Sequence, residues 1–373
     1  MEIQLSKTAL RKNIESFKSL LNPNVLLAAV VKSNAYGHGI LEIAKLSLDY
    51  GANVLAVNSI DEALLLKENF PNQTIMIMGD IFEMETRSEA LNYSHFWIVC
   101  SRIKQVRILN RLSNRPMIHL KVDTGMSRLG YRSDRFSEEL KQIKREDLKI
   151  QGLLTHFATA EDFTEHSYSL KQLQEFKEAV EFAEELGYKN LIKHTSSSAS
   201  TMLFPESHFD MVRIGISLYG IWASLQTKLS LSLRGEKIFD LFPVLSWKTN
   251  IVHIQEIPSG TFIGYGSTYK TNHPTKLAVI PVGYYEGIDR RLSNIGYFLV
   301  KGERARIIGR VCMNMCMIDI TPIENINIGE EVILIGNSRD ETLHADSIAD
   351  LIGTINYEVL TNINANIKRT IVE

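Results

Sequence analysis

Lys32 is the residue whose position most clearly suggests chemistry, because it directly follows an apolar run over residues 25–31. An uninterrupted run of this kind predicts a strand that is buried on both faces, as in parallel sheets. Desolvation at the end of such a strand lowers the pKa of a lysine amine and makes it a nucleophile suited to Schiff-base chemistry. The alternative is a lysine that simply extends past the strand end into water. Tyr36 and two glycines follow within seven residues, and a strand-to-helix loop of this composition suits a bound cofactor.

Polar and basic side chains also follow four later apolar runs. They lie in segments 121–130, 155–158, 194–198 and 213–216. A single histidine or arginine at a strand end is commonly a structural hydrogen-bond partner. Five such ends, counting Lys32, instead predict one basic cavity for an anionic ligand.

The first two thirds of the chain alternates strand-like and helical patterns. The predicted strands are 25–31, 54–57, 75–78, 96–100, 117–122, 150–155, 191–194 and 211–219. Apolar residues at helical spacing lie between most of them, for example over 170–183, with Gly187 as the expected C-terminal cap. Eight strands with crossover helices predict an α/β fold, a (β/α)₈ barrel. A doubly wound open sheet is the alternative, but no Gly-x-Gly-x-x-Gly turn follows any of these strands.

The pattern changes after Gly220, where strands without long helices follow one another. The runs are 244–257, 277–282, 297–300, 304–320 and 331–335, separated by turn sequences at 258–260, 293–294 and 301–302. We therefore expect residues 1–235 to form the barrel and residues 236–373 to form a C-terminal, mostly β-strand domain.

Composition restricts the classes of function. The 373 residues carry a formal net charge of −2, which gives no electrostatic argument for binding nucleic acid or an anionic membrane. No apolar run approaches the ~20 residues of a membrane span, and residues 6–21 predict an amphipathic helix rather than a signal peptide. Three cysteines predict reduced thiols and a cytoplasmic protein. Cys312 and Cys316 have no nearby histidine and fit a strand better than a metal site.

These segments, taken in order along the chain, resemble the motifs of the alanine racemase family. The match includes the string Lys32-Ser33-Asn34-Ala35-Tyr36-Gly37-His38-Gly39 and the segments 121–130, 155–158, 194–198 and 213–216. It continues through 265–269, 282–284, 309–313 and 355–358. The resemblance therefore covers both predicted domains, and it implies pyridoxal 5'-phosphate as the cofactor and alanine as the substrate.

The resemblance also implies a role for each matching residue. Lys32 is the lysine that binds pyridoxal phosphate covalently, and Arg213 faces the pyridine nitrogen. The phosphate is held by Tyr36, Ser198, Gly215, Ile216 and Tyr357. Arg128 and the backbone around Met313 receive the substrate carboxylate, and Tyr265 is a second base held by His156. Read alone, Gly215 could be a tight-turn glycine, Arg128 a surface salt bridge and Tyr265 a packed strand aromatic.

Arg213 is the most diagnostic of these residues. An acidic partner would protonate the pyridine nitrogen and stabilise a long-lived carbanion. Arginine has a pKa above ~12 and does not give up its proton, so the nitrogen stays neutral. A short-lived carbanion favours racemisation over transamination.

Racemisation requires two bases on opposite faces of the substrate Cα. Lys32 would serve one face, and Tyr265 the other if its pKa of ~10 is lowered by a basic neighbour such as His156. The two bases lie in different predicted domains. We therefore expect a homodimer in which Tyr265 of the partner subunit completes the site.

Lys121 matches a lysine that family members often carry as a carbamate, which would orient Arg128. The alternative is a strand lysine paired with Asp123. Three differences from the family pattern, Asn314, Ser197 and the string 284–287, touch the substrate side.

Other functions remain open at this point. The nearest is a racemase of serine or of several small amino acids, although Tyr357 leaves little room beside the substrate β-carbon. A decarboxylase or lyase on the same barrel is a second alternative, but such enzymes resemble this chain less in the segments 265–269 and 310–313. A third alternative is a non-catalytic pyridoxal-phosphate carrier protein. Such proteins resemble a single barrel, whereas this chain has an additional predicted domain over residues 236–373. We expect D-alanine production for peptidoglycan.

Overall fold

The computed structural model describes residues 1–160, 166–233 and 240–373 of the chain. These residues form two compact units. We call them the barrel unit, with Ala9–Ser33 and Ile43–Phe242, and the strand-rich unit, with Met1–Thr8, Asn34–Glu42 and Pro243–Glu373. The predicted boundary between residues 235 and 236 lies outside the described residues and stays a prediction.

The strands are numbered in chain order. They are β1 (Glu2–Ser6), β2 (Leu26–Val30), β3 (Val54–Val57), β4 (Thr74–Ile77), β5 (Phe96–Cys100), β6 (Met117–Asp123), β7 (Tyr131–Arg132), β8 (Gly152–Leu154), β9 (Ile192–His194), β10 (Met211–Ile214), β11 (Leu245–Asn250), β12 (His253–Ile257), β13 (Phe262–Ile263), β14 (Tyr269–Lys270), β15 (Thr275–Ile280), β16 (Tyr297–Val300), β17 (Glu303–Ile307), β18 (Cys316–Asp319), β19 (Glu331–Ser338), β20 (Glu341–Leu343) and β21 (Arg369–Val372).

The helices are numbered in the same way. They are α1 (Lys7–Ser19), α2 (Lys32–Tyr36), α3 (Ile40–Asp49), α4 (Ile60–Asn69), α5 (Ile103–Asn110), α6 (Ser133–Arg145), α7 (Ser167–Glu185), α8 (Ser198–Leu203), α9 (Leu225–Leu233), α10 (Ala345–Ile352) and α11 (Asn356–Thr361). Short 3-10 helices span Ser88–Leu91, Pro205–Ser207, Ile216–Tyr219, Tyr265–Ser267 and Arg290–Leu292. No helix in the described parts of the chain has both the length and the apolar character of a membrane span.

Eight parallel strands form the nearly closed barrel, in the order β10-β2-β3-β4-β5-β6-β8-β9. The sheet curls round so that the β9 end meets β10, where the Arg213 N–H donates to the Ser196 carbonyl oxygen at 3.1 Å. Strands such as β5 are buried along their full length, which explains their uninterrupted apolar runs. The predicted barrel is confirmed, and the neighbouring order of successive strands excludes the doubly wound alternative.

The predicted strand 211–219 ends earlier, at Ile214. Gly215 has φ −104° and ψ −109°, and the chain then enters the 3-10 helix Ile216–Tyr219. The predicted cap of α7 is confirmed, because Gly187 has φ +85°, in the left-handed region that favours glycine.

The strand-rich unit contains a ten-stranded sheet with the path β12-β15-β18-β17-β16-β19-β11-β1-β21 and with β20 paired to β19. Strand β1 pairs antiparallel with β11 and parallel with β21, so the first residues of the chain belong to this sheet. The predicted run 304–320 is two strands, because Gly309 at φ +78° turns the chain away after β17. Cys316 begins β18, whereas Cys312 lies in the connecting loop.

Candidate active site

Lys32 opens α2, a turn of unusual handedness. Ser33, Asn34, Ala35 and Tyr36 have φ between 52° and 54°, so the turn is left-handed. This conformation costs L-residues roughly 1–2 kcal/mol each and persists only where surrounding contacts impose it. The pKa of Lys32 is lowered by burial and by the positive charge of Arg128, and the Glu62 carboxylate partly offsets this.

Glu62 anchors the chain beside Lys32. Its carboxylate accepts hydrogen bonds from the N–H groups of Ser33 at 2.6 Å and Asn58 at 2.9 Å. It also forms the capping box of α4 with Ser59. Sequence analysis did not select Glu62, although a serine followed three residues later by a glutamate before an apolar run is a recognisable capping pattern.

Lys121, Arg128 and Arg213 form a group of positive charges in the barrel unit with Lys32. Burial lowers the pKa of Lys121 to about 8, and the charges of Arg128, Arg213 and Lys32 act in the same direction. Among the described residues no ion pair involves Arg128 or Lys121. The Asp123 carboxylate instead accepts N–H groups of its own turn, from Gly125 at 3.1 Å and Ser127 at 2.9 Å.

Arg213 is buried and held by neutral acceptors. Nη1 donates to His194 Nδ1 at 2.7 Å and to the His194 carbonyl at 3.0 Å. Nη2 donates to the carbonyls of Thr155 at 2.9 Å and Thr195 at 3.0 Å. These bonds leave Nε–H as the remaining donor of the guanidinium. Burial lowers the pKa of Arg213 to about 10, which keeps it protonated near neutral pH.

Two buried histidines extend from Arg213 into the barrel. His194 Nδ1 accepts from Arg213, so its proton is on Nε2, which lies 2.9 Å from His119 Nδ1. His119 stacks on Trp97 with ring centroids 5.0 Å apart. Burial and the charge of Arg213 lower the pKa of His119 to about 3, so the ring is neutral. Sequence analysis missed this pair, because only the register of β6, β8 and β9 brings the two positions together.

His156 is also neutral. Burial first, and then the nearby charges of Arg213, Lys121, Arg128 and Lys32, lower its pKa to about 3. Its Nδ1 lies 3.5 Å from Arg213 Nη2 and can only accept there, so the proton resides on Nε2. His156 therefore presents a hydrogen-bond donor to a ligand rather than a positive charge.

Ser198 and the start of the Ile216–Tyr219 helix form a polar cradle at the barrel's β10 end. The Ser198 hydroxyl accepts from the N–H of Gly215 at 3.0 Å and of Ser217 at 3.4 Å. These hydroxyl and N–H groups are suitable ligands for a phosphate. Ser197, one of the differences from the family pattern, caps α8, and its N–H donates to Ser200 Oγ at 2.7 Å.

In the strand-rich unit, Tyr36 and Tyr357 lie together, with ring centroids 6.0 Å apart. Tyr36 is buried, which raises its pKa to about 12 and keeps the phenol protonated. Tyr265 stands in the loop between β13 and β14 and is 72% exposed. Met313, in the loop between β17 and β18, is 55% exposed.

Glu286 is a further buried group that sequence analysis named only as a difference from the family pattern. It is 8% exposed, and its carboxylate accepts from the Asn314 side-chain amide at 2.8 Å. Within the described residues, no group of histidine, cysteine and acidic side chains could hold a metal ion.

Comparison with known proteins covers the whole chain. Residues 5–222 match the family model of the alanine racemase N-terminal domain, and residues 244–371 match that of the C-terminal domain. An alanine racemase of Leptospira interrogans serogroup Icterohaemorrhagiae serovar Lai is 51% identical over 371 residues, which span 100% of this chain and 95% of the relative. An alanine racemase of Methanococcus maripaludis is 37% identical, over 99% of this chain and 97% of the relative.

Solved structures agree with the sequence comparison. The crystal structure of alanine racemase from Bacillus anthracis with bound L-Ala-P has a TM-score of 0.90 at 33% identity, covering 100% of this chain and 95% of that one. The structure of an alanine racemase from Clostridium difficile 630 has a TM-score of 0.89 at 31% identity, covering 100% of this chain and 95% of that chain. This chain belongs to the alanine racemase family.

Proposed function

We propose that the protein interconverts L- and D-alanine with pyridoxal 5'-phosphate and supplies D-alanine for cell-wall peptidoglycan in the cytoplasm. The observation that carries this proposal is the environment of Arg213, a buried cation bonded only to carbonyl oxygens and imidazole nitrogens among the described residues. Such a group can donate a hydrogen bond to a pyridine nitrogen but does not transfer a proton to it near neutral pH.

The residues of the barrel unit fit the cofactor. Arg213 Nε–H is the donor left for the ring nitrogen, and the pKa of Lys32 is lowered toward the neutral amine that a Schiff base requires. The Ser198 hydroxyl and the Ile216 N–H would donate to the phosphate, and the Gly215 N–H, which donates to Ser198 Oγ at 3.0 Å, would be shared between that oxygen and the phosphate. By the family pattern, the phenols of Tyr36 and Tyr357 would add two further hydroxyls.

When bound, pyridoxal phosphate would provide an electron sink for the pair left at the substrate Cα. Lys32 would remove or return the Cα proton on one face, because burial and Arg128 favour its neutral form. Arg213 would leave the ring nitrogen unprotonated, which favours return of the proton to Cα over transamination.

Tyr265 of the partner subunit would exchange the proton on the opposite face. His156 would support it through a hydrogen bond from Nε2–H to the phenolate oxygen. The sequence analysis expected His156 to act as a basic neighbour of Tyr265. Because the pKa of His156 is about 3, its ring is neutral and would act through this hydrogen bond rather than through a positive charge. The exposure of Tyr265 in the single chain supports a role at a second subunit's site.

Arg128 would bind the substrate carboxylate bidentately, together with the N–H of Met313. Its positive charge is unpaired within the described residues, which supports this role over a surface salt bridge. We further propose that Lys121 is carbamylated and orients Arg128, since a carbamate anion would balance the surrounding positive charges.

The cofactor is tested by reconstitution with pyridoxal phosphate, borohydride reduction and peptide mass mapping. We expect the label on Lys32. A label on another lysine, or no bound cofactor, would refute the proposal.

The substrate is tested by chiral product analysis with alanine and serine. We expect alanine to turn over faster, since by the family pattern Tyr357 would restrict the room beside the β-carbon. Faster turnover of serine would assign a serine racemase instead, and pyruvate accumulation would contradict the role given to Arg213.

A further inference from the structure

Glu286 and Asn314 differ from the usual family residues, and the structure joins them. Asn314 Nδ2 donates to Glu286 Oε1 at 2.8 Å, while Glu286 Oε2 accepts the Gly283 N–H at 2.8 Å. Both carboxylate oxygens are therefore used by neutral donors. No cation pairs with Glu286 among the described residues, so this buried charge depends on the two hydrogen bonds.

Segment 283–286 also holds the loop around Met313 through its backbone. The Tyr284 N–H donates to the Cys312 carbonyl at 3.0 Å, and the Tyr285 N–H donates to the Met313 carbonyl at 2.9 Å. Gly283 lies so close to this loop that a Cβ atom would collide with the carbonyl oxygens of Cys312 and Met313. The loop is thus fixed along one side.

The direction of the loop's N–H groups follows from these bonds. In a trans peptide, the C=O and the N–H point in opposite directions, and the described chain contains no cis peptide. Because the Cys312 and Met313 carbonyls point toward segment 283–286, the N–H groups of Met313 and Asn314 point away from it. Neither N–H donates to another described residue.

We infer that Glu286 and Asn314 are a positioning pair that holds the Met313 and Asn314 N–H groups ready for the substrate carboxylate. The inference rests on the proposed function and extends it to two residues that do not themselves perform the chemistry. The amide at 314 matters because a carboxylate there would face Glu286 with no donor between the two oxygens, and the loop would move to separate them.

The test exchanges the carboxylate at position 286 and the amide at position 314, first singly and then together. In Asn314→Asp the two carboxylates repel, and we expect KM for alanine to rise about tenfold, with kcat within about twofold of the parent. In Glu286→Gln the Asn314 amide can rotate and accept from the new amide, so KM should stay within about threefold of the parent. The double variant Glu286→Gln/Asn314→Asp restores an amide–carboxylate pair of reversed direction and should return KM to near the parental value.

Propionate separates carboxylate binding from catalysis, because it has a carboxylate and no amine. Its competitive inhibition constant should follow KM across the series, rising in Asn314→Asp and recovering in the double variant. Asn314→Ala removes the donor without adding charge and should raise both constants by a few-fold. It keeps the inference testable if Asn314→Asp does not fold.

Gln174 and Glu178 provide a matched control, since they form an exposed amide–carboxylate pair on α7 at 3.0 Å. Gln174→Glu should leave KM and the propionate constant unchanged. A parental KM in Asn314→Asp and Asn314→Ala, or a double variant no better than Asn314→Asp alone, would overturn the positioning pair while leaving the proposed function intact. A parent protein that does not racemise alanine would overturn both.

Discussion

Among the single residues of the candidate site, Lys121 is the one that other positive charges surround. Burial first, and then the charges of Arg128, Arg213 and Lys32, lower its pKa to about 8, and only Asp123 acts in the opposite direction. A lysine amine adds to CO₂ in its neutral form, releasing one proton and giving a carbamate anion. The site therefore provides both the neutral amine and the cations that would stabilise the product.

We predict that the protein incubated with ¹³C-bicarbonate shows a carbamate carbon signal by NMR. At fixed total bicarbonate the signal should increase as pH rises toward about 8 and then level off, because the amine is increasingly neutral. Lys121→Arg keeps the positive charge but cannot form the carbamate, so its spectrum should lack the signal. A signal that persists in Lys121→Arg would place the carbamate elsewhere.

The left-handed turn α2 is the most unusual element of the structure. Gly37, which follows it at φ +84°, packs so closely on α11 that a Cβ would collide with the Leu360 carbonyl oxygen. Arg369 Nη2 also donates to the Gly37 carbonyl at 2.9 Å. These contacts, all within the strand-rich unit, fix the end of the turn that carries Tyr36.

We predict that Gly37→Ala destabilises the protein by more than Gly353→Ala. Gly353 also has positive φ, at +69°, but has no atom within 4 Å of an added Cβ. Gly353→Ala should therefore cost about 1 kcal/mol, from backbone strain alone. Gly37→Ala adds a backbone collision and should also weaken pyridoxal-phosphate binding, because Tyr36 must shift.

Denaturant unfolding and cofactor titration check both expectations. Equal losses of unfolding free energy in the two variants would show that the contact with Leu360 contributes nothing.

The elements differ in how far the sequence alone could predict them. Strands such as β2 and β5 were predictable because burial along all or nearly all of their length leaves uninterrupted apolar runs. Lys32, directly after β2, was the first residue selected for the candidate site. Strand β1 was missed, since its partners β11 and β21 lie more than two hundred residues away and its five residues carry a weak pattern. The left-handed turn was also unpredictable, because Ser33, Asn34, Ala35 and Tyr36 adopt it only under tertiary contacts.

The candidate site shows the same division. Lys32, Arg128 and Arg213 could be selected from their strand ends and the family pattern. The roles of His119 and Glu286 depend on contacts with distant residues. Strand register brings His119 to His194, and loop packing brings Glu286 to Asn314, so no local sequence pattern predicts either contact. Glu286 and Asn314 were noticed as separate differences, and only the structure shows that a 2.8 Å hydrogen bond joins them.

At the scale of the whole molecule, folding buries several neutral histidines. The pKa of His38 is lowered to about 4, those of His119 and His156 to about 3, and that of His194 well below its usual value, in each case mainly by burial. An unfolded histidine has a pKa of about 6.5. Below that pH the unfolded chain binds protons that the folded chain does not, so stability must fall as pH decreases.

We predict a loss of roughly 1.4 kcal/mol of unfolding free energy per buried histidine between pH 7.5 and pH 5.5. His119→Gln removes one titrating group, so its free energy of unfolding should depend less steeply on pH, by about half a proton on average over this range. Denaturant unfolding at several pH values measures both slopes. Identical slopes in the variant and the parent would show that His119 is not buried in its neutral form.

The proposed sharing of the site between two subunits is tested at the same scale. Lys32→Ala and Tyr265→Phe homodimers should each lose most activity, because each lacks one base. Wild-type protein mixed with the double variant Lys32→Ala/Tyr265→Phe is the control. If the bases come from different subunits, neither site of that heterodimer is complete, and activity should fall from about half to about a quarter of the wild-type value as subunits exchange.

The most direct test mixes the Lys32→Ala and Tyr265→Phe proteins and follows alanine racemisation during subunit exchange. Each heterodimer would contain one doubly defective site and one intact site. Since a random mixture is about half heterodimer, roughly a quarter of wild-type activity should return. If both bases of a site came from one subunit, every site would keep a defect. Complete exchange without recovery of activity would therefore contradict the two-base site shared between subunits.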